Sequence, residues 1–389
     1  MSLVKRLLIA RIFACGLLMM GLAVVWGQAR MARAQAVFTP TSHLRAGYYG
    51  TWGDARDGSL IDDHSLSGRL RVGATWQPTS SALIRGSVSS RFASTQDRWH
   101  LRGLGYHPGS GGYAAGDIGV DLLHARWTPS PQWRVDAGRL RLGFGLPDMM
   151  GRGLHRNDGT NISVQWTDGV HVRHQLTETS TAHIAAFHTP NPPTTAFRSP
   201  LSFTDSGSRV GLFGVLQSTQ VMGPLTHQAV QVSVLPSAIP TNSGDTGDTN
   251  TYVAVSVQGA AETSVGAEAR FVAATEVGWV PTPLSNDVLG LEKGISPDPV
   301  ALQASINLLD VRGAHSFALQ GGLFTPHWLI STDFRPNEWM SEARYYWRFH
   351  ENFRFDVRFR LRQERWQQVD AVQRRTQYDT YVRLNVYLP

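Results

Sequence analysis

Cysteine and lysine are almost missing from this 389-residue chain, and no apolar run beyond residue 36 is long. The single cysteine, Cys15, sits inside the apolar run 12–26. Lys5, Arg6 and Arg11 precede that run, and Ala34-Gln35-Ala36 follows as a small-x-small site. This order of charge, apolar core and small residues reads as a secretory signal peptide over residues 1–36, cut after Ala36. Phe13, two places before Cys15, excludes a lipoprotein signal. Residues 37–389 then hold no cysteine, which excludes disulfides, thiolate nucleophiles and thiolate metal sites. Lys293 is the sole lysine after residue 36, so arginine carries the positive charge there. The formal net charge of +6 is also reduced by processing. Lys5, Arg6, Arg11, Arg30 and Arg33 leave with the signal, so 31 Lys+Arg face 30 Asp+Glu in the remainder. A nucleic-acid role suggested by a pI near 9.7 loses its basis. No stretch after residue 36 approaches the 18 apolar residues of a transmembrane helix.

What the chain does have is alternation. Phe353, Phe355, Val357, Phe359 and Leu361 interleave with Arg354, Asp356, Arg358, Arg360 and Arg362. A period of two means a β-strand with one apolar and one charged face. The same pattern, bounded by turn residues, predicts sixteen strands. They fall near 43–52, 66–76, 84–92, 117–127, 133–144, 162–176, 182–189, 209–219, 226–235, 251–259, 264–275, 300–309, 315–325, 338–349, 353–366 and 376–388. Slips of the apolar phase predict bulges in 117–127 and near Gly138.

The connections alternate in length. Long ones fall at 53–65, 95–116, 145–160, 190–208, 236–250, 276–299, 326–337 and 367–375, with short turns between them. A soluble sandwich has no reason to place every long loop at one end. A transmembrane barrel does, with short periplasmic turns, longer outer loops and an even strand count. The expected fold is therefore an all-β, antiparallel transmembrane β-barrel of about sixteen strands (14–18), of bacterial outer-membrane type, over residues 37–389. Trp52, Trp76, Trp127, Trp133, Tyr345, Trp347 and Trp366 fall mostly at strand ends, where interfacial girdles belong.

Turning each strand's polar face inward lines the lumen with Arg69, Arg71, Arg85, Arg91, Arg139, Arg141, Arg173, Arg270, Arg344, Arg348, Arg354, Arg358, Arg360, Arg362 and Arg383. Inward acids are fewer: Asp121, Asp136, Glu268, Glu342, Asp356 and Glu364. A cationic wall favours anions; arginines fully paired with those acids would leave little field.

Residues 135–145 read Val-Asp-Ala-Gly-Arg-Leu-Arg-Leu-Gly-Phe-Gly. This segment resembles the strand leading into the third loop of phosphate-selective-type porins. The resemblance implies a sixteen-stranded channel whose third loop, near 145–160, folds inward and narrows the pore. It places Arg139, Arg141, Arg152 and Arg156 at or near the constriction, and it implies a homotrimer. It does not extend to phosphate specificity, because a lysine- and arginine-rich ladder cannot be built around Lys293 alone.

The expected function is passive diffusion of small hydrophilic solutes, preferably anions, across an outer membrane. The expected partners are those solutes and the outer-membrane lipid, with no cofactor, no metal and no nucleic acid. Pore-lining candidates are Arg69, Arg71, Arg85, Arg139, Arg141, Arg152, Arg156, Arg173, Arg344, Arg358, Arg360 and Arg383. Two alternatives remain: a barrel enzyme of lipid-hydrolase type, and a structural or export barrel closed by its loops. For the first, His155, Asp158 and Ser163 are scattered without a nucleophile elbow, so the expectation is no enzyme. His171 and His174, three apart on a strand, point to opposite faces and cannot share a metal. Gly143-Phe144-Gly145 lacks the rest of a dinucleotide loop.

Overall fold

The structure, a computed structural model, describes residues 38–94, 99–103, 116–140, 142–151, 153–154, 168–188, 210–241, 249–331 and 334–388. The expected signal peptide lies outside them. The strands are β1 (Phe38–Asp54), β2 (Leu60–Thr79), β3 (Ala82–Ala93), β4 (His100–Gly103), β5 (Asp117–Ser130) and β6 (Trp133–Arg139). They continue with β7 (Asp168–Gln175), β8 (Ser180–His188), β9 (Val210–Met222), β10 (Leu225–Pro240), β11 (Thr249–Val265) and β12 (Ala269–Trp279). The last five are β13 (Val300–Val311), β14 (His315–Phe324), β15 (Glu338–His350), β16 (Phe353–Glu364) and β17 (Thr376–Leu388).

Each neighbour in the ring pairs antiparallel, and the ring closes. β17 pairs with β1 from Ser42↔Leu388 to Asp54↔Thr376, while the other edge of β1 pairs with β2. Only β4 stands outside the pattern: it runs parallel to β5 through His100↔Asp117, while β3 pairs directly with β5. Setting β4 aside leaves a closed barrel of sixteen strands. Closure is what removes the unpaired edge that an open sheet would expose.

Several expected boundaries move. The polar stretch 53–65, expected as a loop, is mostly strand: β1 and β2 pair up to Asp54↔Leu60, so the hairpin rises above the apolar band. The turn expected within 260–263 lies at 266–268, past the end of β11. The strand expected to reach 144 stops at Arg139, directly after Gly138 at φ +122°. There a Cβ would come within 2.5 Å of the Leu123 carbonyl, so the backbone turn needs glycine. The bulge expected in β5 is present, as a register shift between Ser87 and Val88 that turns Asp121 inward.

The outward face is apolar around the ring, with Ile184 68%, Leu66 62% and Leu319 58% exposed. Soluble proteins rarely expose contiguous apolar surface beyond a few hundred Å², so this belt suits lipid. Trp76, Trp127, Trp133, Trp347 and Phe349 mark its short-turn edge. Trp52, stacked on Tyr378, and Trp279 mark the other. From Trp339 to Phe349 the chain climbs about 26 Å at about 3.4 Å per residue and a tilt of about 40°, close to the roughly 25 Å band of such barrels. Among the described residues no helix is long and apolar enough to cross a membrane; α1 (Asn286–Leu289) is one turn, capped by Ser285 and Gly290.

Candidate functional site: the two halves of the lumen

The lumen is built of two unlike halves. On the β8–β14 side the inward residues are mainly small, aromatic or amide-bearing, among them Phe187, Phe213, Ser233, Tyr252, Ser256, Gln258 and Gln303, all buried, with the Glu276 carboxylate of β12 beside them. What buries them is a pair of long connections that leave the rim and fold inside. Residues 140–154 contribute Leu140, Leu142, Phe144 and Leu154; residues 325–337 contribute Trp328, Leu329, Ile330 and Phe334. Both segments carry large apolar side chains, and inside a barrel these bury against the wall and against each other.

Buried backbone in a loop must find partners, and here the wall supplies them. Gln258 Nε2 of β11 donates to the Phe144 carbonyl at 2.6 Å. Asn307 Oδ1 of β13 accepts from Met150 N at 3.0 Å, and the Glu276 carboxylate of β12 accepts from Leu154 N. Arg344 Nη1 and Tyr346 Oη of β15 both donate to the Met150 carbonyl, at 2.9 and 3.2 Å. Residues 140–154 therefore start at β6 and are tied to β11, β12, β13 and β15, across the lumen. Trp328 Nε1 joins the two loops by donating to the Leu154 carbonyl at 3.1 Å. The Trp328 ring lies on Gly278 of β12, where a Cβ would come within 2.5 Å of it. His327 is fixed as one tautomer. Its Nδ1 accepts from Leu284 N at 3.0 Å and its Nε2–H donates to the Pro297 carbonyl at 3.2 Å. Burial holds the imidazole below its usual range.

On the β15–β17 and β1–β3 side the wall is cationic. Several buried acids here serve more than one arginine. Asp356 accepts from Arg354 at 2.7 Å and Arg383 at 2.9 Å. Glu342 takes Arg344 and Arg360 directly, with Arg358 at 3.9 Å. Glu338 meets Arg375 at 2.7 Å and Arg362 at 3.9 Å. Tyrosines carry the cations: Tyr381 lies between Arg358 at 4.4 Å and Arg383 at 4.0 Å, both over its ring. One row of direct cross-strand partners runs Arg354–Asn385–Arg45–Arg69–Arg91 across β16, β17, β1, β2 and β3. It contains four cations and no carboxylate. Like charges directly opposite one another weaken a sheet, so packing alone does not explain this row.

The expected pore-lining residues separate accordingly. Arg69, Arg71, Arg344, Arg358, Arg360 and Arg383 belong to the basic wall. Arg85 is exposed near the short-turn mouth, with Nε donating to Thr75 Oγ1 at 3.1 Å. Arg173 is half-buried and donates to Gln175 at 2.7 Å. Arg139 is 7% exposed and bound at two points by Asp168, at 2.7 and 3.0 Å, and by the Val120 carbonyl at 2.9 Å. Its charge is thus committed to the seam between β5 and β7. Arg141, Arg152 and Arg156 lie outside the described residues, as do His155, Asp158 and Ser163. His171 is fully buried and shares a hydrogen bond with His183 at 3.0 Å, whereas His174 stacks on Trp133 at 4.0 Å. Among the described residues no group of three or more His, Cys, Asp or Glu side chains could hold a metal.

Alternation alone does not mark Arg45 and His43, because β1 has few charges to distinguish its inward face. The length pattern alone makes 326–337 an outer loop, although Trp328-Leu329-Ile330 is an apolar run ill suited to one.

No family model and no curated protein matches the chain. Solved structures do. The fold is similar to that of OprB from Pseudomonas putida, with TM-score 0.58 and 10% identity over 93% of this chain and 97% of that one. It is similar to the outer membrane channel DcaP of Acinetobacter baumannii, with TM-score 0.53 and 12% identity over 92% and 98%. It is also similar to an anion-selective porin from Comamonas acidovorans, with TM-score 0.52 and 8% identity over 90% and 100%. At these identities the likeness establishes a shared barrel architecture.

Proposed function

We propose that the chain is an outer-membrane channel for passive diffusion of small hydrophilic solutes, with anions preferred. The observation that carries this reading is the row Arg354–Asn385–Arg45–Arg69–Arg91, four arginines and no carboxylate in cross-strand register on a lumen face. Such a face raises the local concentration of anions and lowers that of cations. The apolar half and the inward segment 140–154 then limit cross-section, so size and charge are selected by different walls. The chain matches an anion-selective porin in fold, and the apolar belt supports an outer-membrane location. The likeness of 135–145 to phosphate-selective porins supports a channel of the general type, and nothing in the wall singles out phosphate. Catalysis has no part in this reading. Assembly as a homotrimer, after export and cleavage at Ala36, completes it; cross-linking and N-terminal sequencing of the outer-membrane fraction check those two points.

Single-channel recording in planar bilayers under a salt gradient is the decisive experiment. A discrete conductance with an anion-directed reversal potential is expected. A cation-directed potential would remove the anion preference. A second reading, a barrel closed by its loops, draws on the burial of 140–154 and 325–337 against the wall, and silence in the bilayer would favour it.

A further inference from the structure

One register row holds three polar atoms that have no hydrogen-bond partner among the described residues. His43 of β1 faces Arg71 of β2, and Arg71 faces Ser89 of β3. With strands about 4.8 Å apart, the three side chains occupy a strip roughly 10 Å wide on the lumen face. His43 Nε2, Arg71 Nη2 and Ser89 Oγ are all buried and have no hydrogen-bond partner among the described residues. Ser89 as a whole has no exposed surface.

Their hydrogen-bond roles can be assigned. Arg69 Nη2 lies 3.4 Å from His43 Nδ1, and a guanidinium only donates. Nδ1 therefore accepts, and the ring proton sits on Nε2. The imidazole plane is fixed by stacking on Tyr387, with centroids 4.5 Å apart and planes 7° from parallel. The other polar neighbour, Asn385, accepts from Arg45 Nε at 3.0 Å through its side-chain oxygen and also bears on the His43 ring, but no acceptor lies within hydrogen-bond geometry of Nε2. Arg71 gives its Nε–H to Asp121 Oδ2 at 2.6 Å, which leaves the Nη2 hydrogens. Ser89 can rotate its hydroxyl to donate. Three donors thus stand in line, with the Arg45 and Arg69 charges in the adjacent row. The inward positions of β1 and β2 at this level carry no carboxylate. Asp121, from β5, is the nearest acid in the network, and it also accepts from Ser87 Oγ at 2.5 Å.

Buried donors without acceptors cost roughly 1–3 kcal/mol each, so a ligand that only accepts would recover what the fold gives up. The geometry points to a saturable oxyanion site on this strip, held by His43 Nε2–H, Arg71 Nη2 and Ser89 Oγ–H under the field of Arg45 and Arg69. The ligand class is a carboxylate or a tetrahedral oxyanion. Chloride, with one spherical centre, cannot span donors on three strands. The inference rests on the channel reading for its place in permeation, but binding itself can be measured apart from it.

The test uses the full chain, in bilayers and in detergent. Chloride current is recorded while acetate, inorganic phosphate or sulfate is added. Wild type should show saturable block by at least one of these oxyanions, and the ranking tells carboxylate from tetrahedral ligands. His43→Phe, which keeps the stack on Tyr387, and Ser89→Ala should each raise the half-blocking concentration, His43→Phe by about tenfold, as expected for loss of a hydrogen bond to a charged group. Ser256→Ala, on the apolar half, should leave it unchanged. Block that stays linear in concentration, or is equal in all four proteins, would overturn the site while leaving the channel intact. If wild type does not conduct, the channel reading fails. Calorimetric titration of the folded protein with the same anions then decides the site: affinity dependent on His43 upholds it, and no heat or an unchanged affinity in His43→Phe refutes it.

Discussion

Side chains of β8–β14 and those of β15–β17 with β1–β3 point into one lumen, yet they are satisfied in opposite ways. The first group is covered by chain: residues 140–154 and 325–337 turn inward and bring Phe144, Leu154, Trp328 and Phe334 against Phe187, Phe213 and Tyr252. The second is covered by charge shared among too few acids, so that Asp356 serves two arginines and Glu342 three. Apolar burial is non-directional and tolerates neighbours of many shapes. A buried ion network does not: removing one partner leaves the others uncompensated. The two halves should therefore fail differently. Loss from the apolar half loosens a loop, and loss from the basic half strains the wall itself.

The largest effect is expected from Glu342→Gln. Arg344, Arg358 and Arg360 would share a neutral amide, and breaking a buried ion cluster costs about 3–5 kcal/mol. The urea midpoint of the folded barrel should fall accordingly; an unchanged midpoint would show that the network contributes little to stability. Gly278→Ala probes the other half. Its Cβ would meet the Trp328 ring at 2.5 Å, and overpacking of this kind costs about 1–3 kcal/mol. The cost should appear as displacement of 325–337, with larger or noisier single-channel currents and a nearly unchanged urea midpoint. Unaltered currents would mean that this segment does not limit the path.

Arg45→Glu separates selectivity from stability. It replaces one cation of the Arg45–Arg69 pair by an anion, relieving repulsion in the sheet. At about 6 Å and an effective dielectric between roughly 20 and 80, each unit charge counts about 0.7–2.8 kcal/mol. Relative anion permeability should fall by about tenfold while the urea midpoint holds or rises. A reversal potential identical to wild type would remove this row from the permeation path.

The same contrast explains what could be read from residues alone. Strand number, closure and the alternation of long and short connections follow from period-two patterning, which a membrane barrel must display along every strand. Arg354, Arg358 and Arg360 were legible because Phe355, Val357 and Phe359 separate them. The stop of β6 was not: Arg139-Leu140-Arg141-Leu142 continues the alternation, although the strand ends one residue after Gly138, whose φ is +122°. The inward course of 325–337 left a signal in Trp328-Leu329-Ile330, but its place between β14 and β15 argued for the outer rim. The row His43–Arg71–Ser89 was invisible for a different reason. It depends on the register between three strands, because alternation shows which face a side chain takes but not which residues of the neighbouring strands stand beside it.

The smallest expected effect concerns acidity, and it too divides the halves. His327 lies in the inward segment 325–337, accepting at Nδ1 from Leu284 N and donating from Nε2 to the Pro297 carbonyl. A proton added to Nδ1 would set two donors face to face, and burial already disfavours the charged ring. The docked segment therefore has a depressed histidine pKa, whereas the undocked segment keeps the usual value of 6.5. Below that value the undocked form takes up more protons, so docking weakens as pH falls from 6.5 toward the depressed pKa and is fully supported above 6.5. Protease sensitivity of 325–337 should rise between about pH 7 and about pH 5, in the range where histidine titrates. His327→Gln retains an acceptor and a donor but cannot titrate, and its protease sensitivity should be flat over that interval. A profile as steep as wild type would place the acid-sensitive group elsewhere in the lumen.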